Sequence, residues 1–521
     1  MSNHGPHDPA AGTVRSGESS ATQFALDSKA EAAIREAAKE ALRASFAALT
    51  KEHVLPRSEH RPWIWMARDY FGYAVEGEKG ALSKALEAGL PGRFSIRGID
   101  SVDYPSSYAA AVLEAAVAAA TRNHEPYDVS SPSVQRAIDE LVDKVQATPR
   151  STVLRVVTDI DVEHEPTREG YQAPLGETIE VAGVRVIRVE NQPERFIEQE
   201  IPSAGYEVDR SQVVVFPGPA SLLVSTVGAV SGHGQRAEEA RRRVDHLVSS
   251  VRLATGSTVH AVIDIEGDPD PVHWVSPTIT PLPSWGFRFL HRPVTLTAGH
   301  VPGLSRLVSF LGSWNASDDW IPLRIALGRL NRSLDGRTPG IVDQVIDLSI
   351  GLEAALAGTE RTEIGLRLRT RAAGILATEV DPPDAIYRHV KVLYELRSAF
   401  VHGGRLQGRA VDKAIKSVSG DGGTPAEQYL GALDRWRDLL RRAILARIAL
   451  MTADATWPAH NAHKQHLDVD QLLLRDRDRE SWRRQIRGFW EWQGLPEAHN
   501  LPSAPRRMLR DVSSRVKAAD R

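Results

Sequence analysis

The sequence predicts a multidomain α+β protein: a helical N-terminal region, a central β-rich mixed domain and a C-terminal α-helical bundle. Three observations carry this. A chain of 521 residues is too long for one ordinary core and implies about two to four domains. Apolar residues recur at helical spacing toward both ends of the chain. Between them, from residue 150, the texture changes to short runs rich in β-branched residues, which mark strands.

The elements follow in order. Residues 1–27 are rich in Gly, Ser, Pro and Ala, lack periodicity and are expected to be disordered. The helical region, 28–149, opens with the Ala-rich "SKAEAAIREAAKEALRASFAAL". Two further helices are expected at "SSYAAAVLEAAVAAATRN" and, after a Ser-Pro start signal, at "SVQRAIDELVDKVQA". In the β-rich domain, 150–300, strands are expected at "STVLRVVTDIDV", "GETIEVAGVRVIRVE", "SQVVVFPG" and "TVHAVIDIEG". Ala182-Gly183 lies between two runs and fits a hairpin turn. The helix "QRAEEARRRVDHLVSSVRLATG" interrupts this domain. Its apolar stripe is Val244, Leu247, Val248 and Val251, and Gly256 follows its end.

The C-terminal bundle occupies 315–455. Leu323, Leu327, Leu330 and Leu334 make one helical face. "GIVDQVIDLSIGLEAALAG" is apolar around most of its circumference, as a central helix should be. "ERTEIGLRLRTRAAGILATEV", "DAIYRHVKVLYELRSAFVHGG" and "AEQYLGALDRWRDLLRRAILARIALMT" complete the set, punctuated by Pro382-Pro383 and "SGDGGTP". Residues 456–521 form a polar tail of basic and aromatic character. Its "SWRRQIRGFWEWQG" mixes arginine with Trp482, Phe489, Trp490 and Trp492, a combination that can stack on bases. Trp482, Ile486, Phe489 and Trp490 also share one helix face, and packing is the favoured reading.

Composition excludes several chemistries. There is no cysteine, hence no disulfide, Cys-based zinc site, iron–sulfur cluster or thiol nucleophile. A net charge of −3 means that any nucleic-acid site must be a local basic patch. No secretory signal is visible. No apolar run reaches the roughly 18 residues needed to span a bilayer; the nearest, "YAAAVLEAAVAAAT", is broken by Glu114. A cytoplasmic protein with no membrane contact is expected. "GAVSGHGQR" lacks the lysine and spacing of a phosphate loop. His460, His463 and His466 stand three apart and could hold a metal, but a solvated linker is the plainer reading. Neither a metal nor a cofactor is expected.

Charged residues on apolar faces supply the candidate site. On a helical wheel Ile386, Val390, Leu393, Arg397 and Phe400 share one stripe, with Arg397 near its centre. Arg371 falls likewise among Ile364, Leu368 and Ile375. Glu353 lies beside Ile346, Ile350 and Ala357, away from Asp343 and Asp347, which look solvent-facing. Buried charges need partners, so Glu353 is expected to be buried and to accept from Arg371, Arg397 or both. His402, five residues beyond Arg397, is followed by Gly403-Gly404. This pair ends the helix and could let the imidazole swing toward the guanidinium. Alternatively, Arg397 is structural and His402 satisfies the last carbonyls.

"ELRSAFVHGG" resembles the R-x4–6-H motif of the HEPN superfamily, in its ApeA-like branch. "IDLSIGLEAALAG" resembles that branch's acidic central helix, and "LRLRTRAAGIL" its Arg-bearing second helix. The likeness covers roughly residues 320–455. It implies a helical bundle that dimerises and a metal-independent ribonuclease with Arg397 and His402 as the catalytic pair. Glu353, Arg371 and Ser398 would support them. Catalytic members often carry Asn, Asp or His where Ser398 stands. RNA would be the partner, the protein a homodimer, and a defence or toxin effector its role. Other HEPN domains are non-catalytic scaffolds or nucleotide binders, which is the alternative expectation.

Overall fold

The computed structural model describes residues 26–51, 80–90, 123–146, 150–163, 178–189, 220–228, 233–267, 278–281, 293–314, 318–335, 340–357, 363–402, 408–420, 422–452 and 475–495, with a few isolated positions besides. Residues 1–25 of the stretch expected to be disordered, the strand expected at "SQVVVFPG" and the histidines of "HNAHKQH" lie outside the described residues, as do parts of "GAVSGHGQR" and "YAAAVLEAAVAAAT". The described chain is mostly helical, with an antiparallel sheet in the middle.

Three N-terminal helices, α1 (Ser28–Lys51), α2 (Ala81–Gly89) and α3 (Pro132–Gln146), bury Ile34, Ala38, Leu42, Leu82, Leu86, Ile138 and Leu141 in a core of their own. The strands are β1 (Arg150–Thr158), β2 (Ile160–Val162), β3 (Thr178–Val181), β4 (Val184–Arg188), β5 (Ala220–Gly228), β6 (His260–Gly267), β7 (Thr278–Pro281) and β8 (Val294–Leu296). Six of them form one sheet in the order β3-β4-β5-β1-β6-β7, antiparallel throughout. Strands β2 and β8 pair in parallel beside it. The β3–β4 hairpin turns on Ala182 and Gly183, whose φ angles of 50° and 78° both lie in the left-handed region. This is the primed geometry that matches the twist of the flanking strands.

Alternation along the strands separates two cores. Val153, Val157, Val184, Val186 and Leu223 meet Val244, Leu247, Val248 and Val251 of α4 (His233–Thr255). Leu154, Val156, Ile187, Leu222 and Val224 cluster on the opposite face. Gly256 ends α4 at φ +69°, with its N–H bonded to Arg252 O.

The first of these cores does not stop at the sheet. It continues through α5 (Val301–Ser313), α6 (Ile321–Leu334), α7 (Ile341–Leu352), α8 (Ile364–Leu376), α9 (Pro383–Val401), α11 (Pro425–Thr452) and α12 (Asp476–Trp492), with α10 (Gly408–Ser419) adding Ile415. The four leucines of α6 are all buried. Stretches 150–300 and 315–455, which differ in sequence texture, therefore share one hydrophobic interior. Helix α12 comes from the tail and inserts Trp482, Ile486 and Trp490 into it, while Trp490 donates Nε1 to Leu445 O. Trp492 is exposed and carries Arg306 over its ring.

Arginines hold the helix ends. The last carbonyls of an α-helix have no partner within it. From α11, Arg437 donates to Ser333 O at the end of α6, Arg441 to Leu253 O in the last turn of α4, and Arg442 to Leu376 O at the end of α8. Arg483 of α12 adds bonds to Ala373 O and Gly374 O. Asp438 lies among Arg435, Arg441 and Arg442. Burial pushes its carboxyl up, but Arg442 and Arg441 outweigh that and hold it at about 2.

Two predictions follow from this packing. A Cβ on Gly303 would lie 2.2 Å from the Gly494 carbonyl oxygen, because α5 crosses the turn that ends α12. Gly303→Ala is expected to destabilise the fold by about 1–3 kcal/mol, read as an earlier midpoint in urea. His389 accepts a bond from Arg435 Nε at Nδ1. Burial, then Arg435 and Arg388, lower its pKa to about 4, against the pull of Asp381. The unfolded chain thus binds this proton near pH 6.5 and the folded chain only near 4, so stability falls as pH drops through that window. His389→Gln should flatten this limb in urea titrations between pH 7 and 4. The loss owed to Asp438 should persist, since it begins only below pH 3.8.

Candidate functional site

The site is built around the end of α7. The helix does not stop at Leu352; it widens into a π-helical turn, Glu353–Ala357. Such turns are rare and cluster at functional positions. Gly351 lets α7 press on α11, since a Cβ there would lie 2.6 Å from a Leu440 methyl. Two buried arginines satisfy the carbonyls of the turn. Arg447 donates Nη1 to Ala354 O and Ala355 O, and Arg371 donates Nη1 to Leu356 O and Ala357 O. Burial, then the nearby Arg371 charge, lower the Arg447 pKa to about 10. Arg371 is buried, as expected, but it caps the helix end.

Arg397 is the arginine that meets Glu353. Its Nε lies 4.0 Å from Glu353 Oε1, a charge contact longer than a hydrogen bond. The expected tight, buried pair is thereby corrected: the side chains are 25 % and 21 % exposed. Leu396, rather than Arg397, continues the sealed stripe of Ile386, Val390 and Leu393. Asp347 also departs from expectation. It is buried and pairs with Arg329 of α6, because α7 turns that face toward its neighbour.

The Arg397 guanidinium makes no hydrogen bond among the described residues. Its Nε is buried without a hydrogen-bond partner among the described residues, and its carbon lies 5.8 Å from the centre of the Tyr394 ring. The ring packs against α8 at Gly365, where a Cβ would come within 2.7 Å of it. Burial raises the Glu353 pKa, while Arg397 and Ser349 pull it down. The pair is thus a carboxylate whose pKa is raised by burial beside a guanidinium that makes no hydrogen bond among the described residues.

His402 is exposed and caps α9 at φ −92°, ψ 11°. Its N–H still bonds Ser398 O at 3.1 Å, so α-helical pitch holds up to this residue. The imidazole therefore starts about 140° round and about 7.5 Å along the axis from Arg397. The His402 backbone itself has left helical values, but its N–H keeps the helical bond, so the pitch up to it sets the two on different azimuths. Gly403-Gly404 lie outside the described residues. Ser398 is half-buried and serves His402 through its carbonyl. Arg447 escaped sequence reasoning, although an arginine inside the very apolar "RRAILARIALM" was a legible signal.

Stability should separate these roles. Glu353→Ala is expected to cost no more than about 1 kcal/mol, because its ion pair is long and solvent-touched. Arg371→Met orphans two carbonyls at about 1–3 kcal/mol each. Urea denaturation of both variants checks the contrast; equal losses would contradict it.

No protein-family model matches this chain, and comparison with curated proteins and with solved structures gives no match.

Proposed function

We propose that the C-terminal bundle is a metal-independent RNA endonuclease of HEPN type, acting as a cytoplasmic homodimer, with Arg397 and His402 as its catalytic residues. The observation that carries this reading is the Arg397 guanidinium, without a hydrogen bond among the described residues, on the helix that ends in the exposed His402. RNA brings its own nucleophile, the 2′-OH. Cleavage needs a base for that hydroxyl, an acid for the departing 5′-oxygen and a cation at the crowded phosphate. An imidazole serves as base or acid. A guanidinium stabilises the charge that grows on the phosphate. Glu353 and Arg371 support the pair, the first by its charge and the second by fixing the turn that carries Glu353. Ser398 fixes the His402 backbone.

One protomer offers one such imidazole, set round the helix from its own arginine. A second copy, facing the first, would supply the other acid/base group. Leu366 and Val401 are exposed, Val401 at the same helix end and Leu366 beside the Gly365–Tyr394 contact. They give that dimer an apolar contact. A role as a defence or toxin effector rests on the motif's resemblance alone. The roughly 140° separation also favours a second reading, in which the bundle is a non-catalytic scaffold for dimerisation or nucleotide binding.

Incubation of the full chain with mixed RNA in EDTA decides between them. Cleavage is expected, with 2′,3′-cyclic phosphate and 5′-hydroxyl ends, and DNA should resist because it lacks the 2′-OH. His402→Ala should abolish cutting with the fold intact. Arg397→Ala should abolish it with little loss of stability, since no hydrogen bond is lost. A His402→Ala variant that cuts at the parent rate, or light scattering that shows an active monomer, would leave the scaffold reading in its place.

A further inference from the structure

A cleft of about 600 Å³ opens where the sheet meets the bundle, a volume in the range of small-molecule sites. It is remote in sequence from Arg397 and His402 and owes nothing to them. Arg155, Asp264 and Thr280 come from the adjacent strands β1, β6 and β7, where Arg155 pairs across to Asp264 and Asp264 to Thr280. Arg241, Asp245, Ser249 and Arg252 come from α4, Asn331 from α6 and Asp335 from the cap that follows it. Among the described lining residues, only Val248 and Ala261 are apolar.

The charges of this cleft are matched and largely held by one another. Arg155 grips both oxygens of Asp264 at 2.6 and 2.7 Å, and its Nη1 reaches Asp245 Oδ1 at 2.6 Å. Arg252 donates to Asp335 Oδ1, to Asn331 Oδ1 and to Val259 O. Arg241 donates to Glu266. Among the described residues three guanidinium groups meet the three carboxylates of the lining and Glu266 behind Arg241, so the cleft offers no excess of positive charge to a polyanion and at most one net negative charge to a polycation. A purely apolar ligand would leave its polar walls unpaired.

Free hydrogen-bonding capacity remains, and it is of both kinds. Asp245 is half-exposed and commits one oxygen to Arg155, leaving the other as an acceptor. The Ser249 hydroxyl accepts from Asn331 Nδ2 at 2.9 Å and keeps its own proton to donate. Arg241 has N–H groups beyond its bond to Glu266 and is 42 % exposed. A ligand hydroxyl both donates and accepts, and such a group suits a carboxylate, a serine and a guanidinium on one wall. We infer that this cleft binds a small, neutral, hydroxyl-rich ligand, a sugar or the ribose of a nucleoside, through Asp245, Ser249 and Arg241.

Titration calorimetry on the full chain tests this with glucose and maltose as one arm and adenosine and uridine as the other. Adenosine monophosphate and spermidine are the charged comparators. Saturable binding of a neutral probe is expected, and the arm that binds names the source. Asp245→Asn should weaken it by roughly tenfold, since a charged acceptor is lost. Ser249→Ala should weaken it too, with circular dichroism unchanged in both variants. The inference is overturned if no neutral probe binds up to about 10 mM, if only the charged comparators bind, or if both substitutions leave neutral binding unaltered. RNA cleavage plays no part in the readout, so failure here leaves the nuclease reading untouched, and the reverse holds.

Discussion

The bundle depends on arginines that reach from one helix to the ends of others. Helices α4, α6, α7 and α8 finish inside the protein, where the carbonyls of a last turn cannot rely on water. Arg437, Arg441, Arg442 and Arg447, all from α11, donate to these four ends. Each contact places a full positive charge at the negative end of a helix dipole, worth about 0.3–2 kcal/mol depending on burial. Satisfying carbonyls that would otherwise be buried without a partner contributes more. The same device explains how one helix can be both deeply buried and rich in arginine.

Concentrating so many guanidinium groups in an interior creates a charge problem, which is met in two ways. Around Arg435, Arg441 and Arg442 the carboxylates of Asp381 and Asp438 offset most of the cluster's charge. Around the π turn of α7 there is less compensation. Arg371 and Arg447 face carbonyls, and Glu353 meets a third arginine only at 4.0 Å. Arg371, Arg397 and Arg447 thus gather at one turn with Glu353 beside them.

The same arginines bind the sheet to the bundle. Arg252 joins Val259, just before β6, to Asn331 and Asp335 of α6, while Arg441 joins α4 to α11. With a continuous hydrophobic core beneath them, these bonds fix α6 against α4. The polar cleft is the outer edge of that junction, and a ligand held there would touch both the sheet and the bundle.

Much of the fold was legible in the sequence because it follows from local periodicity. The α4 stripe of Val244, Leu247, Val248 and Val251, the leucine face of α6 and the Ala182-Gly183 turn depend on spacing and backbone preference alone. The apolar face of Trp482, Ile486 and Trp490 was equally plain, but that α12 belongs to the shared core was not. Burial of Arg371 could also be read, since its helical position is fixed by its neighbours. What tertiary structure decided was where the charges point. A wheel cannot say that Asp347 faces Arg329, that Arg371 turns to carbonyls, or that Leu396 is sealed while Arg397 reaches out. Those outcomes depend on which neighbour each helix face meets and on the reach of long side chains. The π turn was likewise invisible, because it arises where the end of α7 must fit between α8 and α11. The sequence determined which residues are charged on apolar faces; only the packed molecule determined which of those charges remain free to act.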